Sequence, residues 1–237
     1  MRAIVLAAGK GSRMLSTVPK PLHLVNGVPM TGHVLKSLEE LDLESTVVVV
    51  GHQAPLVSQT LMRMSSDPDR LKFAEQRVQR GTADATKVGL EAFASDDGSG
   101  VESDVLVLPG DMPLLTSDTL IELQDHHVKS GAAATLLTAE FKDPAGYGRI
   151  VRDEHGRIER VVEHADAGPH ELTICEVNTS IYCFNSELLD GALREVESSN
   201  SQNEYYLTDV VEFFRADGHL VTAMVADDPD EMRGVND

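Results

Sequence analysis

The segment Ala3-Ile-Val-Leu-Ala-Ala-Gly-Lys-Gly-Ser-Arg13 is the part of the sequence that best indicates the fold. Its first half is a short apolar run, which is typical of a strand buried on both faces. Its second half carries two glycines, which let a backbone approach phosphate groups and hold them with exposed N–H groups. It does not end in Gly-Lys-Ser/Thr as a P-loop does, and Met14 stands where the dinucleotide fingerprint has its third glycine. We therefore predict a phosphate-binding loop of another kind directly after the first strand.

The alternation of strand-like and helical patterns continues from this segment to about residue 130. Such alternation indicates βαβ units, a mostly parallel central sheet and helices on both faces, which is a Rossmann-like α/β fold. In this part we predict further strands at 46–50, 71–74 and 105–108, and helices at 30–41, 54–64 and 82–94.

After residue 130 the pattern indicates a mixed sheet. We predict strands at 132–141, 149–152, 157–163, 176–184 and 220–226, and helices at 186–197 and 205–216. No internal repeat or linker is evident. The prediction is one domain over 1–237, with a nucleotide-binding part at 1–130 and a substrate-binding part at 131–237.

The charge of the chain is unevenly distributed. The net charge is −19, which argues against nucleic acid as a partner because such binders need a basic surface. All acidic residues follow residue 38, whereas the basic residues up to that point are Arg2, Lys10, Arg13, Lys20 and Lys36. An anionic small molecule is therefore drawn to the N-terminal segment.

Cysteine content and hydropathy indicate the environment of the protein. Cys175 and Cys183 are too few for a disulfide framework, and we expect both to pack in strands. No apolar run approaches the roughly 20 residues that span a membrane, and no secretory pattern opens the chain. We expect a cytoplasmic protein with no membrane partner.

Two further motifs add charged side chains next to the expected loop. Pro19-Lys-Pro-Leu-His23 presents Lys20 from a backbone restricted by prolines, so that Lys20 and Arg13 are candidates to hold a triphosphate. Pro109-Gly-Asp-Met-Pro113 places Asp111 just past a buried strand, and ligands of open α/β sheets lie outside the carboxyl ends of the strands. A carboxylate there is suited to Mg²⁺, although an isolated Gly-Asp is more often only a turn.

With these motifs the chain resembles a known family over essentially all 237 residues. That family is the N-terminal domain of bifunctional N-acetylglucosamine-1-phosphate uridylyltransferase/glucosamine-1-phosphate acetyltransferase. The first motif is shared by many sugar nucleotidyltransferases, whereas the ordered set is highly specific. Its landmarks, in order, are Leu6-Ala-Ala-Gly-Lys-Gly-Ser-Arg-Met14, Pro19-Lys-Pro-Leu-His23, Gln76, Gln79-Arg-Gly-Thr82, Gly110-Asp111, Gly146-Tyr-Gly-Arg-Ile150, Val162-Glu-His164, Glu176-Val-Asn-Thr179, Glu204-Tyr-Tyr-Leu-Thr-Asp209 and Gly234-Val-Asn236.

The resemblance implies a Mg²⁺-dependent enzyme that joins UTP and N-acetylglucosamine 1-phosphate to give UDP-N-acetylglucosamine and pyrophosphate. Its implied catalytic cations are Arg13 and Lys20, and its implied metal ligands are Asp111 and Asn236. The implied UTP-binding residues are Leu6, Ala8, Gly9, Gly11, Arg13, Lys20, Gln76, Gln79, Gly81 and Thr82. The implied sugar-phosphate-binding residues are Gly148, Glu163, Asn178, Tyr206 and Thr208, with Asn178 near the acetamido group.

The sequence also departs from the family pattern. Gly81-Thr-Ala-Asp-Ala85 replaces the usual Gly-Thr-Gly-His-Ala, and Asn178-Thr-Ser180 replaces Asn-Thr-Gly. Asp84 adds an anion near the expected nucleotide site. The same chemistry with glucose 1-phosphate or another nucleotide therefore stays open, and so does a non-catalytic sugar-nucleotide sensor.

The C-terminal left-handed β-helix of the bifunctional family is not among these 237 residues. An excised domain and a naturally short enzyme are both consistent with this sequence. Because that β-helix makes the trimer in the family, we expect a monomer or weak dimer.

Overall fold

The computed structural model describes residues 1–11, 14–94 and 103–235. No helix within these ranges is long and apolar enough to cross a membrane. The strands are β1 (Arg2–Ala7), β2 (Leu24–Val25), β3 (Val28–Pro29), β4 (Thr46–Val50), β5 (Leu71–Glu75), β6 (Val105–Pro109), β7 (Ala134–Glu140), β8 (Gly148–Arg152), β9 (Ile158–Val162), β10 (Glu176–Phe184) and β11 (Val221–Val225). The helices are α1 (Met30–Ser37), α2 (Ala54–Met64), α3 (Thr82–Ala94), α4 (Ser117–Ser130), α5 (Ser186–Leu193) and α6 (Asp209–Ala216), and short 3₁₀ turns lie at Lys20–Leu22, Glu171–Thr173 and Pro229–Met232.

One large sheet has the main strand order β11-β7-β10-β6-β1-β4-β5. The strands β5, β4, β1 and β6 are parallel to one another, and β11 is parallel to β7. β10 runs antiparallel between β6 and β7 and also pairs with β8, which forms a hairpin with β9. The predicted α/β fold with a mostly parallel central sheet is confirmed. The division into two parts at residue 130 stays a prediction.

Helices cover both faces of the sheet, and each face has its own apolar core. Successive side chains of β1 point to opposite faces, so Val5 joins one core and Ile4 joins the other. Helices α1, α2 and α4 pack on the face of Val5, and α3, α5 and α6 pack on the face of Ile4. Burial on both faces explains why β1, β4 and β6 read as continuous apolar runs.

Several predicted helix boundaries are wrong. Helix α1 ends at Ser37 rather than at 41, and α5 ends at Leu193 rather than at 197. Helix α6 begins at Asp209 rather than at 205. The cause is that Tyr205 is held in a loop, where its N–H donates to the carbonyl of Arg80 and its carbonyl accepts from the N–H of Ala83.

The remaining differences concern two elements and one cysteine. Helix α4 and the β2–β3 hairpin were not predicted, although Thr116 caps the start of α4 with its side chain and Gly131 ends it. Cys183 is buried in β10 as predicted. Cys175 is exposed and precedes that strand, so the prediction for it is wrong.

Candidate active site

A cavity of about 290 Å³ opens at the carboxyl ends of β1 and β6. The loops that follow these parallel strands meet there, as the rule for open α/β sheets predicts. Its lining includes nine of the residues that the sequence singled out, namely Leu6, Ala8, Gly9, Lys20, Gln76, Gln79, Gly81, Thr82 and Asp111.

Two opposite charges meet on the wall of this cavity. The ammonium nitrogen Nζ of Lys20 lies 2.6 Å from the carboxylate oxygen Oδ2 of Asp111. Asp111 is placed by the turn after β6, where the N–H of Gly110 donates to the carbonyl of Leu6 and Thr31 donates to the carbonyl of Gly110. The two side chains are 15% and 24% exposed, so the pair is shielded from bulk water but still reachable from the cavity.

The glycine loop after β1 leaves room for Lys20. Gly11 has a φ of +59°, which glycine adopts without steric cost. A Cβ atom at Gly11 would lie 2.7 Å from Cβ of Lys20, so a larger residue would displace the lysine. Gly11 itself does not line the cavity. Arg13 lies outside the described residues, and its predicted role stays a prediction.

A second wall of the cavity is built by the segment before α3. Gln76 is 3% exposed, and its Nε2 donates to Asp84 Oδ2 at 2.7 Å and to the carbonyl of Gly81 at 3.2 Å. Nε2 of Gln79 in turn donates to the carbonyl of Gln76 at 3.1 Å. These contacts fix two side chains that the resemblance implies for UTP binding.

Gly81 is the residue that allows this wall to pack against the Tyr205 loop. Its φ is +120°, and a Cβ atom there would lie 2.4 Å from the carbonyl oxygen of Tyr205. The hydroxyl of Thr82 accepts a hydrogen bond from the N–H of Leu207 at 3.0 Å. The start of α3 is therefore locked to the loop that precedes α6.

The five residues predicted to bind the sugar phosphate lie outside this cavity but close together. The hydroxyl of Thr208 donates to Glu163 at 3.2 Å, and a Cβ atom at Gly148 would lie 3.4 Å from the same carboxylate. Asn178, 3% exposed, donates to the hydroxyl of Tyr182 at 2.7 Å. The hydroxyl of Tyr206 lies 3.4 Å from Asp166.

Two residues that the sequence did not single out connect this sugar cluster with the cavity. Ser180 and Glu204 line the cavity, and the N–H of Ser180 donates to Oδ1 of Asn178 at 3.3 Å. Ser180 has a φ of +62° and lies at an irregularity in the pairing of β10 with β7. The serine in place of the usual glycine of Asn-Thr-Gly was the available signal for this position.

The sugar cluster is electrostatically negative. Burial raises the pKa of Glu163, and the neighbouring carboxylates Asp209, Asp166 and Glu204 raise it further. Burial, with Glu212 and Asp166, raises the pKa of Asp209 to about 6. Within the described part of the chain, Glu163, Asp166, Glu204 and Asp209 form no ion pair. This surface is suited to neutral hydroxyl donors rather than to anions.

The C-terminal segment is packed against the metal-ligand candidate. The N–H of Val235 donates to the carbonyl of Asp111 at 2.9 Å, and Met232 is fully buried. The carboxylate of Glu231 accepts hydrogen bonds from Thr116 and Thr119 near the start of α4. Asn236 is the next residue in sequence and lies outside the described residues.

The family of the chain follows from a comparison with known protein families. The family described as "Nucleotidyl transferase" matches residues 2–229. The chain belongs to the nucleotidyl transferase family. Three groups already described fit a nucleotidyl transferase, namely a glycine loop after β1, a cation beside it and a carboxylate after β6.

Curated relatives of this nucleotidyl transferase are longer proteins. The chain is 46% identical over 235 residues to the bifunctional protein GlmU of Lactococcus lactis subsp. lactis (strain IL1403), which covers 99% of this chain and 49% of that protein. The identity and both coverages are the same for the bifunctional protein GlmU of Bacillus cytotoxicus. The chain thus spans about half the length of the curated relatives it matches.

Solved structures share the fold at lower identity. A chain from Bacillus anthracis described as a glucose-1-phosphate thymidylyltransferase, in complex with sucrose, has a TM-score of 0.76 at 21% identity, covering 97% of this chain and 90% of that chain. A UDP-glucose pyrophosphorylase complexed with UDP-glucose has a TM-score of 0.73 at 15% identity, covering 93% and 89%. These likenesses confirm the fold of the nucleotidyl transferase and nothing finer.

Proposed function

We propose that the protein joins UTP and N-acetylglucosamine 1-phosphate to give UDP-N-acetylglucosamine and pyrophosphate. The observation that carries the proposal is one cavity with two different walls. Lys20 and Asp111 form a charged wall, and Gln76 and Gly81 belong to a wall that presents amide groups. The 46% identity to bifunctional GlmU proteins over almost the whole chain supports a uridylyltransferase.

In the proposed reaction, a phosphate oxygen of the sugar phosphate attacks the α-phosphorus of UTP. A new P–O bond forms, the bond from the α-phosphorus to the bridging oxygen breaks, and pyrophosphate leaves with the bonding electrons. The phosphate monoester is already an anion at neutral pH, so no side chain needs to remove a proton from it. The chain contributes positioning and charge neutralisation, with Lys20 and the N–H groups of the glycine loop on the phosphates.

The donor set at Asp111 fits Mg²⁺, a hard cation that prefers oxygen ligands and takes few of them from the protein. Among the described residues, no group of three or more His, Cys, Asp or Glu side chains could hold a metal ion. The family resemblance implies that Asp111 would be a ligand together with Asn236, and substrate oxygens and water would supply the remaining oxygen ligands. When bound, Mg²⁺ neutralises phosphate charge.

The acetamido group is the part of the substrate that is least constrained by the observed contacts. Asn178 donates to Tyr182 and accepts from Ser180, which leaves one of its two amide hydrogens for a substrate. Because Asn178 already bonds within the protein, a sugar without an acetamido group is also favoured, and glucose 1-phosphate is the second candidate. The two candidates differ only at the 2-position of the ring, and the reaction is the same.

Pyrophosphate release from UTP and a panel of sugar 1-phosphates tests the proposal. We expect release with N-acetylglucosamine 1-phosphate that stops in excess EDTA and returns with added Mg²⁺. Release that is faster with glucose 1-phosphate would replace the sugar and keep the reaction. Binding of UTP without any release across the panel would instead identify a sugar-nucleotide sensor.

A further inference from the structure

The buried amide of Gln76 has a fixed orientation, and this bears on which base the cavity accepts. A role in base selection rests on the proposed function, because it concerns the base of the nucleotide that the enzyme would use. Gln76 lines the cavity but is only 3% exposed, so contacts with the protein, rather than with water, set the orientation of its amide.

Both hydrogen atoms of the Gln76 amide face protein acceptors. Its Nε2 lies 2.7 Å from Oδ2 of Asp84 and 3.2 Å from the carbonyl oxygen of Gly81. A primary amide has two donor hydrogens, so these two contacts use its full donor capacity. The carbonyl oxygen Oε1 of Gln76 has no partner among the described residues, and it is the polar atom left for a ligand.

The carboxylate of Asp84 makes this orientation one-sided. An ionised carboxylate only accepts hydrogen bonds, so a flipped amide would set Oε1 of Gln76 against an anion and lose the 2.7 Å contact. The carbonyl of Gly81 also only accepts, but its distance of 3.2 Å is the longer of the two. Asp84 is therefore the main group that turns the acceptor of Gln76 toward the cavity.

Backbone N–H groups belong to the lining of the same cavity. Gly81 and Thr82 line the same cavity, and Thr82 begins α3, where the first N–H groups of a helix have no intrahelical partner. An acceptor next to donors complements an imide, which presents a ring N–H between two carbonyls. Cytosine presents an unprotonated ring nitrogen at that position and would meet the oxygen of Gln76 with a second acceptor.

We propose that Asp84 is a positioning residue for base selection: it holds the Gln76 amide so that the cavity accepts the imide edge of uracil or thymine and rejects cytosine. Asp84 touches Gln76 and acts on the base only through it. Its replacement by a neutral amide would allow both orientations of Gln76, because an asparagine side chain can accept from Nε2 or donate to Oε1.

Equilibrium binding of UTP and CTP, measured by calorimetry without sugar phosphate, tests this role. The variants are Asp84→Asn and, in case the first does not fold, Asp84→Ala, with melting temperatures recorded for both. Asp69→Asn removes the same charge from an exposed position and serves as the matched control.

In the Asp84 variants we expect the ratio of UTP to CTP affinity to fall at least about tenfold, which is the scale of one buried hydrogen bond. In the control the ratio should stay unchanged. Equal losses for both nucleotides would show that Asp84 only supports the structure, and an unchanged ratio would overturn the proposal. So would a wild-type protein that binds CTP as tightly as UTP. The binding measurement requires no turnover, so its result remains valid even if the protein releases no pyrophosphate. An active enzyme with an unchanged affinity ratio would refute only the role of Asp84.

Discussion

The cavity and the sugar cluster lie side by side but have opposite electrostatic character. The cavity carries Lys20 and the glycine loop, and its carboxylate at Asp111 is paired with Lys20 at 2.6 Å. A second carboxylate, Glu204, lines the cavity where it meets the sugar cluster. The sugar cluster holds carboxylates without an ion pair among the described residues, and Glu163 has a raised pKa from burial. One region can compensate phosphate charge, whereas the other offers acceptors to hydroxyl groups.

This difference supports binding of the two proposed substrates in a defined direction. A phosphate in the sugar cluster would be repelled by Glu163 and Asp166, and a neutral sugar ring gains little from Lys20. The arrangement favours phosphates at the carboxyl ends of β1 and β6 and the sugar ring beyond Ser180. Four substitutions, taken in order of decreasing effect, can break or sharpen this contrast.

The largest effect is expected for Asp111→Asn in the charged wall. The change removes the ion pair with Lys20 and the carboxylate proposed to hold Mg²⁺. We expect kcat/KM to fall at least about a hundredfold, the scale of losing one charge contact in a transition state. The measurement is steady-state pyrophosphate release over a range of Mg²⁺ concentrations.

Asp42→Asn removes an exposed carboxylate elsewhere and is the control for net charge. Its activity should match that of the wild type. If Asp111→Asn retains full activity at limiting Mg²⁺, the charged wall is not where the phosphates are processed, and the contrast between the two regions fails.

The second effect is expected for Glu163→Gln in the sugar cluster. Glu163 accepts from Thr208 and is proposed to accept from sugar hydroxyl groups. A hydrogen bond to a charged group contributes about 1.5–3 kcal/mol, so we expect kcat/KM for the sugar phosphate to fall by about 10- to 100-fold. Binding of UTP, measured by calorimetry, should change less than about twofold if the regions are separate in function.

Glu159→Gln changes an exposed carboxylate in β9, the strand that Glu163 directly follows, and serves as the control. It should leave both measurements unchanged. A parallel loss of UTP affinity in Glu163→Gln would mean that the cluster also holds the nucleotide.

The sequence predicted the cavity better than the sugar cluster, for a physical reason. The glycine loop, Lys20 and Asp111 follow buried strands directly, and parallel strands bring such turns to one edge of a sheet. Their proximity could therefore be inferred from local patterns alone.

The wrong or missing predictions depend on contacts and backbone conformations that local sequence patterns do not reveal. Tyr205 is kept out of α6 by bonds to Arg80 and Ala83, more than 120 positions away. The contact of Asp84 with Gln76 and the positive φ of Ser180 leave no periodic signal in the sequence. Met232 follows the acidic stretch Asp227-Asp-Pro-Asp-Glu231 and is nevertheless fully buried.

The third effect is a pH-dependent change in stability for Asp209→Asn. The pKa of Asp209 is raised to about 6 in the folded protein, above its ordinary value of 3.8. The folded state therefore binds this proton more tightly than the unfolded chain, and stability is lost as the pH rises from about 4 to about 6. The variant should melt at a higher temperature than the wild type at pH 8, and this advantage should vanish near pH 4.

Scanning calorimetry from pH 4 to 8 measures this difference. Because Asp209 lies in the first turn of α6, its carboxylate also gains from the helix dipole, and this opposes the expected change. If the variant is less stable than the wild type at pH 8, the favourable interaction of the Asp209 carboxylate with the helix dipole outweighs the cost of its burial and of its repulsion by neighbouring carboxylates.

The smallest effect is expected for Ser180→Gly, at the boundary between the two regions. Ser180 adopts a φ of +62°, a conformation that costs a residue with a Cβ atom about 1–2 kcal/mol. Glycine removes that strain but is favoured in the unfolded state by roughly 0.5–1 kcal/mol. The difference predicts a gain of about 0.5–1 kcal/mol, or a rise of about 1–4 °C in melting temperature.

Ser180→Ala keeps the strain and loses the hydroxyl, so it should give no gain. If both variants retain the wild-type KM for each substrate, Ser180 only joins the two regions; if both raise the KM for the sugar phosphate and leave that for UTP unchanged, its hydroxyl belongs to the sugar cluster. A Ser180→Gly variant that melts below the wild type would show that the hydroxyl holds the irregular segment of β10 more strongly than its backbone strain opposes it.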